Sequence, residues 1–171
     1  MAARAAFLVL ALTALGACAP ELDWRELKSD EGRFTTAMPA RLRYETQPLA
    51  GAAGVTMHLW SAQAADSVFG VGYADHSGAD PDLVERTAAG LARNISGRIT
   101  QRRDIKLGER AAGLEFTAEA FTAEGDAPER LLQARVLRAG ERLYQQVVIS
   151  PRGRLAPADL ELFFSSFRLL P

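Results

Sequence analysis

The feature that most limits what this chain can fold into is the period of its apolar residues. It is two in almost every segment past residue 30 and about 3.6 in only one long segment. Alternation places successive side chains on opposite faces of a strand, so each such segment offers one apolar face to a core. Residues 32–39 read as a short strand stopped by proline. Residues 41–46 put Leu42 and Tyr44 on one face and Arg41, Arg43 and Glu45 on the other. After a Pro/Gly/Ala connection at 48–54, Val55, Met57 and Leu59 share a side, and 68–74 form the next strand. The period then changes. Asp80-Pro81-Asp82 supplies an N-cap, a proline at the first helical position and an acid in the first turn. Leu83, Val84, Thr87, Ala88, Leu91 and Ile95 follow as one helical stripe, which Gly97 is placed to close in a left-handed cap.

Past that helix the alternation resumes. Residues 99–107 place Ile99, Gln101, Arg103, Ile105 and Leu107 on one face, the mark of an edge strand carrying an inward charge. Leu114, Phe116, Ala118 and Ala120 oppose Glu115, Thr117 and Glu119 in the following strand. Strands at 131–138 and 142–149 meet at Ala139-Gly140-Glu141, where Gly140 suits a type II′ hairpin. Pro157 opens a short helix ending near Phe164, and 167–170 form a last strand or docking tail. Short connections force antiparallel pairing. The expected fold is therefore α+β: an antiparallel sheet of about six to eight strands covered by one long and one short helix.

The N-terminus carries an address. Arg4 precedes an apolar run from Ala5 to Leu15 that is too short to span a bilayer, which takes about 20 residues. Leu15-Gly16-Ala17-Cys18 closes it and resembles a bacterial lipobox. That resemblance implies a signal peptide at 1–17, cleavage between Ala17 and Cys18, and a thioether-linked diacylglycerol on Cys18. The bilayer is then a partner through acylated Cys18, with 18–24 as a lipidated tether and 25–171 as one domain. In the Gram-negative lipoproteins that the box resembles, Ala19 rather than Asp after the cysteine implies the outer membrane, facing the periplasm; the Arg-rich, Lys-poor composition typical of GC-rich genomes points to such a two-membrane background.

Composition excludes several classes. Cys18 is the only cysteine, so neither a disulfide nor a cysteine-based metal site is available. A net charge of −1 leaves no footprint for nucleic acid.

Several local phrases carry a second resemblance: Trp24 before Gly32-x-Phe34 and Met38-Pro39, then Gly72-Tyr73-Ala74-Asp75 before a capped helix. Gly108 to Gly113 before a strand, Arg142-Leu143-Tyr144, and Phe163-Phe164-Ser165-Ser166-Phe167-Arg168 complete the set. Together they resemble small exported proteins of the PsbP-like type, an α-β-α sandwich shared with the Mog-type Ran-binding proteins. The resemblance implies an accessory or assembly factor rather than an enzyme. The residues of the photosystem II members that bear on calcium and chloride retention match no position here.

Constellations with catalytic or metal-binding letters are sparse. Asp75-His76-Ser77 holds three triad residue types consecutively, but a nucleophile needs its base within about 2.6–3.2 Å, and neighbours on extended backbone diverge. His58 and His76, with Asp66, Asp75 or Asp80, form a metal site only if the fold gathers them. Gly70-Val71-Gly72-Tyr73-Ala74-Asp75 begins like a dinucleotide fingerprint but ends in Asp and lies within a strand. Its glycines invite close approach of another element, such as the long helix. Asn94-Ile95-Ser96 matches a glycosylation sequon by chance. Arg98, Arg102, Arg103, Lys106 and Arg110 read as a solvated edge, with attraction to anionic headgroups as the alternative. No catalytic residue, cofactor or metal is expected.

The functional expectation is a membrane-anchored envelope protein that binds a protein partner. The alternative is a small-ligand carrier with Trp60, Tyr73 or Tyr144 walling a groove between sheet and helix. Cys18→Ser is expected to leave an unprocessed precursor or a soluble form without acyl chains. Intact-mass analysis of the wild-type protein checks this; a mature chain without acyl mass sinks it.

Overall fold

The computed structural model describes residues 21–76, 80–121 and 128–171. Ala17, Cys18 and the rest of the lipobox, together with Ser77, lie outside them. Within the described residues the chain runs β1 (Trp24–Ser29), β2 (Phe34–Pro39), β3 (Arg43–Pro48), β4 (Thr56–Ala64), β5 (Ser67–Asp75), α1 (Leu83–Asn94) and β6 (Arg98–Leu107). It continues through β7 (Ala111–Phe121), β8 (Pro128–Ala139), β9 (Arg142–Pro151), α2 (Pro157–Ser165) and β10 (Arg168–Leu169). The main sheet has seven strands, within the expected six to eight, and is antiparallel throughout in the order β3-β4-β5-β9-β8-β7-β6.

The covers differ from expectation. One face of the main sheet takes α1, which lies over β6, β7 and β8. The other face takes α2 together with a second, three-stranded sheet ordered β1-β2-β10. β1 was not legible as a strand because its sequence, WRELKS, alternates weakly, with Leu27 as its one buried large apolar side chain. Trp24 thus belongs to the domain rather than to a tether, its ring set edge-on to Phe69 at 5.8 Å.

The two cores have different chemistry. Under α1 the core is aliphatic apart from Phe116, and it includes Met57, Leu83, Leu91, Leu132 and Val147. Under the small sheet it is aromatic: Phe34, Phe69, Tyr73, Tyr144, Phe163 and Phe167 are buried together. Phe34 stacks on Phe167 at 5.4 Å and meets Trp60 edge-on at 5.7 Å. Such ring pairs add about 0.5–1.5 kcal/mol each beyond their buried area.

Three local expectations are corrected. Helix α1 begins at Leu83, because Asp80 spends its carboxylate on the Asp82 amide (3.1 Å) and on Arg86 rather than on a helix-entry amide. The left-handed residue past α1 is Ser96, with φ 55, not Gly97. The Ser96 amide donates to Arg93 and the Gly97 amide to Ala92, both at 2.9 Å, which is a Schellman closure with serine in the usual glycine position. In β6 the register shifts between Ile99 and Gln101, and the extra residue moves everything after it to the opposite face. Ile99 therefore packs in the aliphatic core while Ile105 and Leu107 pack in the aromatic one. The strand is at the edge, as expected. Gly140 has φ 60 between paired Ala139 and Arg142, consistent with a type II′ turn.

Leu91 is 7% exposed beneath α1 and Arg93 is exposed on its outer side. Leu91→Ala is expected to cost about 2–5 kcal/mol, and Arg93→Ala less than about 0.5 kcal/mol, measured by urea unfolding. Equal costs would mean that the buried face is wrongly assigned.

Candidate functional groove

Helix α1 is too narrow to roof the whole main sheet. Beyond the row of Met57, Ala74 and Leu143, which is buried in the core under the helix, it leaves the parts of β3, β4, β5 and β9 nearer the β4–β5 turn open on its own face, and there a groove of about 630 Å³ opens. Cross-strand register lays out its walls as rows. The outer row pairs Gln63 with Val68 and Val68 with Ile149. The middle row runs Arg43, Ser61, Gly70, Val147, and the inner row runs Glu45, Leu59, Gly72, Gln145. Leu91 and Asn94 of α1 overlook the inner end.

Glycine decides the depth. A Cβ on Gly70 would touch nothing nearer than Leu59 Cδ1 at 3.5 Å, so the missing side chain leaves usable space. A Cβ on Gly72 would lie 2.3 Å from the His58 carbonyl oxygen, so that glycine serves close packing against β4, not against the long helix as expected. The glycine that meets a neighbour across α1 is Gly90, where a Cβ would lie 2.8 Å from Ala50.

Polar side chains in the groove are unusually free. Gln145 is 3% exposed, yet its side-chain amide has no hydrogen-bond partner among the described residues. The side-chain groups fully buried without a partner lie elsewhere, at His76 Nε2, Thr87 Oγ1 and Gln146 Oε1, so the Gln145 amide faces the open space of the groove. Arg41 and Arg43 likewise make no ion pair, hydrogen bond or ring contact among the described residues. Arg93 and Arg130 are free in the same way, while several other arginines are engaged: Arg142 with Asp75 at 2.5 Å, Arg135 with Glu115 at 2.6 Å, Arg102 with Glu85 at 2.6 Å. Another depression, of about 780 Å³, lies on the other flank of α1 between Val84 and Lys106. No buried, unpartnered polar side chain lines it among the described residues.

The aromatic residues expected to wall the groove lie elsewhere. Tyr73 is 1% and Tyr144 5% exposed, both on the opposite face of the sheet, and Trp60 packs beside them against Phe34 and Tyr73. They build the layer that holds the small sheet. Tyr144 donates its hydroxyl to the Gly32 carbonyl at 3.0 Å, and Arg142 sits 4.7 Å over the Tyr73 ring. Burial, with the Glu31 charge second, pushes the Tyr73 phenol up to about 12. Sequence reasoning missed the real groove because its lining, Gly70, Val147 and Gln145, reads as ordinary strand.

The histidines serve packing. His58 stacks on Tyr73 at 4.7 Å and shares a 2.7 Å hydrogen bond with the Tyr44 hydroxyl. His76 Nε2 is buried 3.9 Å from Asp80 Oδ2, and Asp75 is held by Arg142. Among the described residues no three His, Cys, Asp or Glu side chains come together. The basic segment is largely spent locally: Arg102 on Glu85, Arg103 on Glu115, Arg98 over Phe121, Arg110 on the Leu169 and Leu170 carbonyls.

No protein-family model and no curated protein matches the chain. Among solved structures, cyanobacterial PsbP (CyanoP) from Synechocystis sp. PCC 6803 aligns over 92% of this chain and 98% of its own, at 14% identity and a TM-score of 0.55. The fold is PsbP-like. A protein of unknown function from Pseudomonas aeruginosa, described as a putative regulator, aligns over 80% of this chain and 85% of its own, at 13% identity and a TM-score of 0.36.

The two glycines of β5 give a direct check on the groove. Gly70→Ala is expected to leave stability unchanged or to raise it by up to about 1 kcal/mol. Gly72→Ala should destabilise, because its Cβ meets backbone. Chemical denaturation of both variants decides it; a destabilising Gly70→Ala would mean that the space is not there.

Proposed function

We propose that this protein is a non-enzymatic, membrane-anchored envelope lipoprotein whose PsbP-like domain docks a protein partner along β3. The observation that carries the reading is the state of that strand. Every residue of β3 is exposed, β3 pairs only with β4, and Tyr44 is 53% exposed beside exposed Leu42. A free strand edge offers backbone donors and acceptors to an incoming strand, and proteins usually blunt such edges with charge. The opposite edge, β6, is blunted in this way by its ion-paired arginines. β3 carries charge as well, in Arg43 and Glu45, and ends in Pro48, but it also presents an exposed tyrosine braced by His58.

The anchor supports the same reading. Glu21 is ion-paired with Arg154, which also holds Asp66 at 3.0 Å. Only Ala19 and Pro20 lie between Cys18 and Glu21, and those three chain steps reach about 10 Å. Acylation of Cys18 would hold the β4–β5 turn near the headgroups of the outer membrane, with β3 presented at its side. A second reading, a small-ligand carrier, is favoured by the groove of about 630 Å³ over Gly70, into which the Gln145 amide faces.

The partner reading is checked with a photo-crosslinking amino acid placed at Thr46 on β3, or at exposed Glu161 on α2, in the full chain within its native envelope. One discrete adduct from Thr46 and none from Glu161 is the expected outcome. No adduct, or the same adduct from both positions, would count against docking at β3.

A further inference from the structure

We propose that the end of the domain carrying the β4–β5 turn docks directly on an anionic phospholipid surface. The main sheet then stands on the bilayer, with its β3 edge reached from the side. The proposal rests on the membrane-anchored reading and adds what the domain itself touches.

The distribution of free charge points there. Among the described residues, Arg41, Arg43, Arg93 and Arg130 are the arginines with no ion pair, side-chain hydrogen bond or ring contact. All four lie toward the same end of the main sheet. Arg41 precedes β3 and Arg43 begins it, and both line the groove with Gln63 and Val68, which flank the β4–β5 turn. Arg93 is in the last turn of α1, whose final residue, Asn94, lines the same groove. Arg130 pairs with Pro151 at the end of β9, two residues past the Ile149 that pairs with Val68. The carboxylates described at this end are mostly engaged: Glu21 and Asp66 by Arg154, and Glu119 by Arg152. Glu129 is without a partner, as is Glu45 farther along β3; Glu124 and Asp126, between β7 and β8, lie outside the described residues. The far end of the sheet has the opposite character. There Glu31, Asp82, Glu109 and Glu141 make no ion pair among the described residues, with Lys106 as the unpartnered cation beside them. Charge divided in this way along the strands orients a protein in the field of a charged surface.

The tether lies at the same end. Asp66 is in the β4–β5 turn, Arg154 ties it to Glu21, and Glu21 is three chain steps, about 10 Å, from Cys18. Attraction of basic side chains to anionic lipid falls off within a Debye length, about 8 Å at physiological salt. A tether this short keeps that attraction in force, where a long spacer would not. It also selects lipid over a protein as the occupant, because a folded domain of even 100 residues has a radius of gyration of about 13 Å and would not fit between this end and the bilayer. Apolar exposure is concentrated here too. Leu42, Val68 and Phe121, three of the five large apolar side chains that stand exposed among the described residues, lie at this end, with the Arg98 guanidinium 5.7 Å over the Phe121 ring. Basic and apolar side chains set together suit a layer that is anionic at its surface and apolar beneath.

The test uses the acylated protein purified from its envelope. Its Cys18 thiol is blocked, so Val68→Cys or Glu109→Cys takes a single fluorophore. Each labelled variant is reconstituted into vesicles of phosphatidylcholine, alone or with about one-third phosphatidylglycerol, that contain a lipid spin-labelled on its headgroup as quencher. The Val68 label is expected to be quenched at least threefold more in the anionic vesicles than in the neutral ones, and the Glu109 label equally little in both. Salt at about 1 M, where the Debye length is about 3 Å, should return the Val68 label to its neutral-vesicle value. The triple variant Arg41→Ala, Arg93→Ala, Arg130→Ala should do the same at low salt, whereas Lys106→Ala at the far end should change nothing. The salt arm needs no arginine substitution and decides the matter if the triple variant fails to fold. Equal quenching of the two labels, or Val68 quenching that ignores phosphatidylglycerol, overturns the proposal while leaving the anchor in place. A protein that carries no acyl mass and stays off the vesicles overturns the anchored reading and the proposal with it.

Discussion

The structure depends on burying both faces of two central strands. β5 and β9 lie side by side in the middle of the main sheet, and nearly every residue of each is buried. A strand with no solvent face needs a cover on each side, and one helix supplies only one. The second cover is assembled from distant parts of the chain: β1 and β2 from the beginning, α2 and β10 from the end. Phe34 on β2, Phe167 after α2, and Tyr144 on β9 meet within 6.2 Å of one another. This aromatic contact joins the two ends of the domain to its middle.

Arginine fixes the same joints from outside. Glu115 accepts from Arg103 and Arg135, and Arg135 also donates to the Phe164 carbonyl at 2.8 Å, tying α2 to the main sheet. Burial alone would raise the Glu115 pKa, but the two guanidiniums hold it below the usual carboxylate range. A carboxyl whose folded pKa is depressed stabilises the fold at neutral pH, and that stability is lost as pH falls through the lowered value. Asp80 is held low in the same sense, chiefly by the hydrogen bond from Arg86. Arg41 and Arg43, which line the groove at the edge of α1, make no such tie among the described residues, and neither do the exposed Arg93 and Arg130.

The groove is a consequence of unequal covering. The aromatic layer closes its face of the sheet, because rings are large and the small sheet extends across the central strands. On the other face a single helix of twelve residues lies over β6, β7 and β8 and leaves the β3 side open. The open part stays shallowly filled by aliphatic side chains and by Gly70, so its shape comes from what is missing as much as from what is present.

By itself the sequence determined the local elements. Period-two alternation in 55–59 and 113–120, the helical stripe from Leu83 to Leu91, the Gly140 turn and Pro157 at the start of α2 all act through backbone geometry within a few residues, so they are legible without the fold. The PsbP-like architecture was legible as well, through phrases such as Gly32-x-Phe34 and the closing Phe-Phe-Ser-Ser-Phe. The Ala65–Asp66 turn was not: both residues adopt positive φ, 51 and 54, in a tight hairpin that normally calls for Asn-Gly. Tertiary structure alone decided the rest. It split the strands into two sheets, shifted the β6 register by one residue so that Ile99 and Ile105 face opposite cores, and sent Trp60, Tyr73 and Tyr144 into the layer beneath the small sheet. Alternation shows that a strand has two faces, but which face is covered, and by what, depends on contacts between residues more than a hundred positions apart.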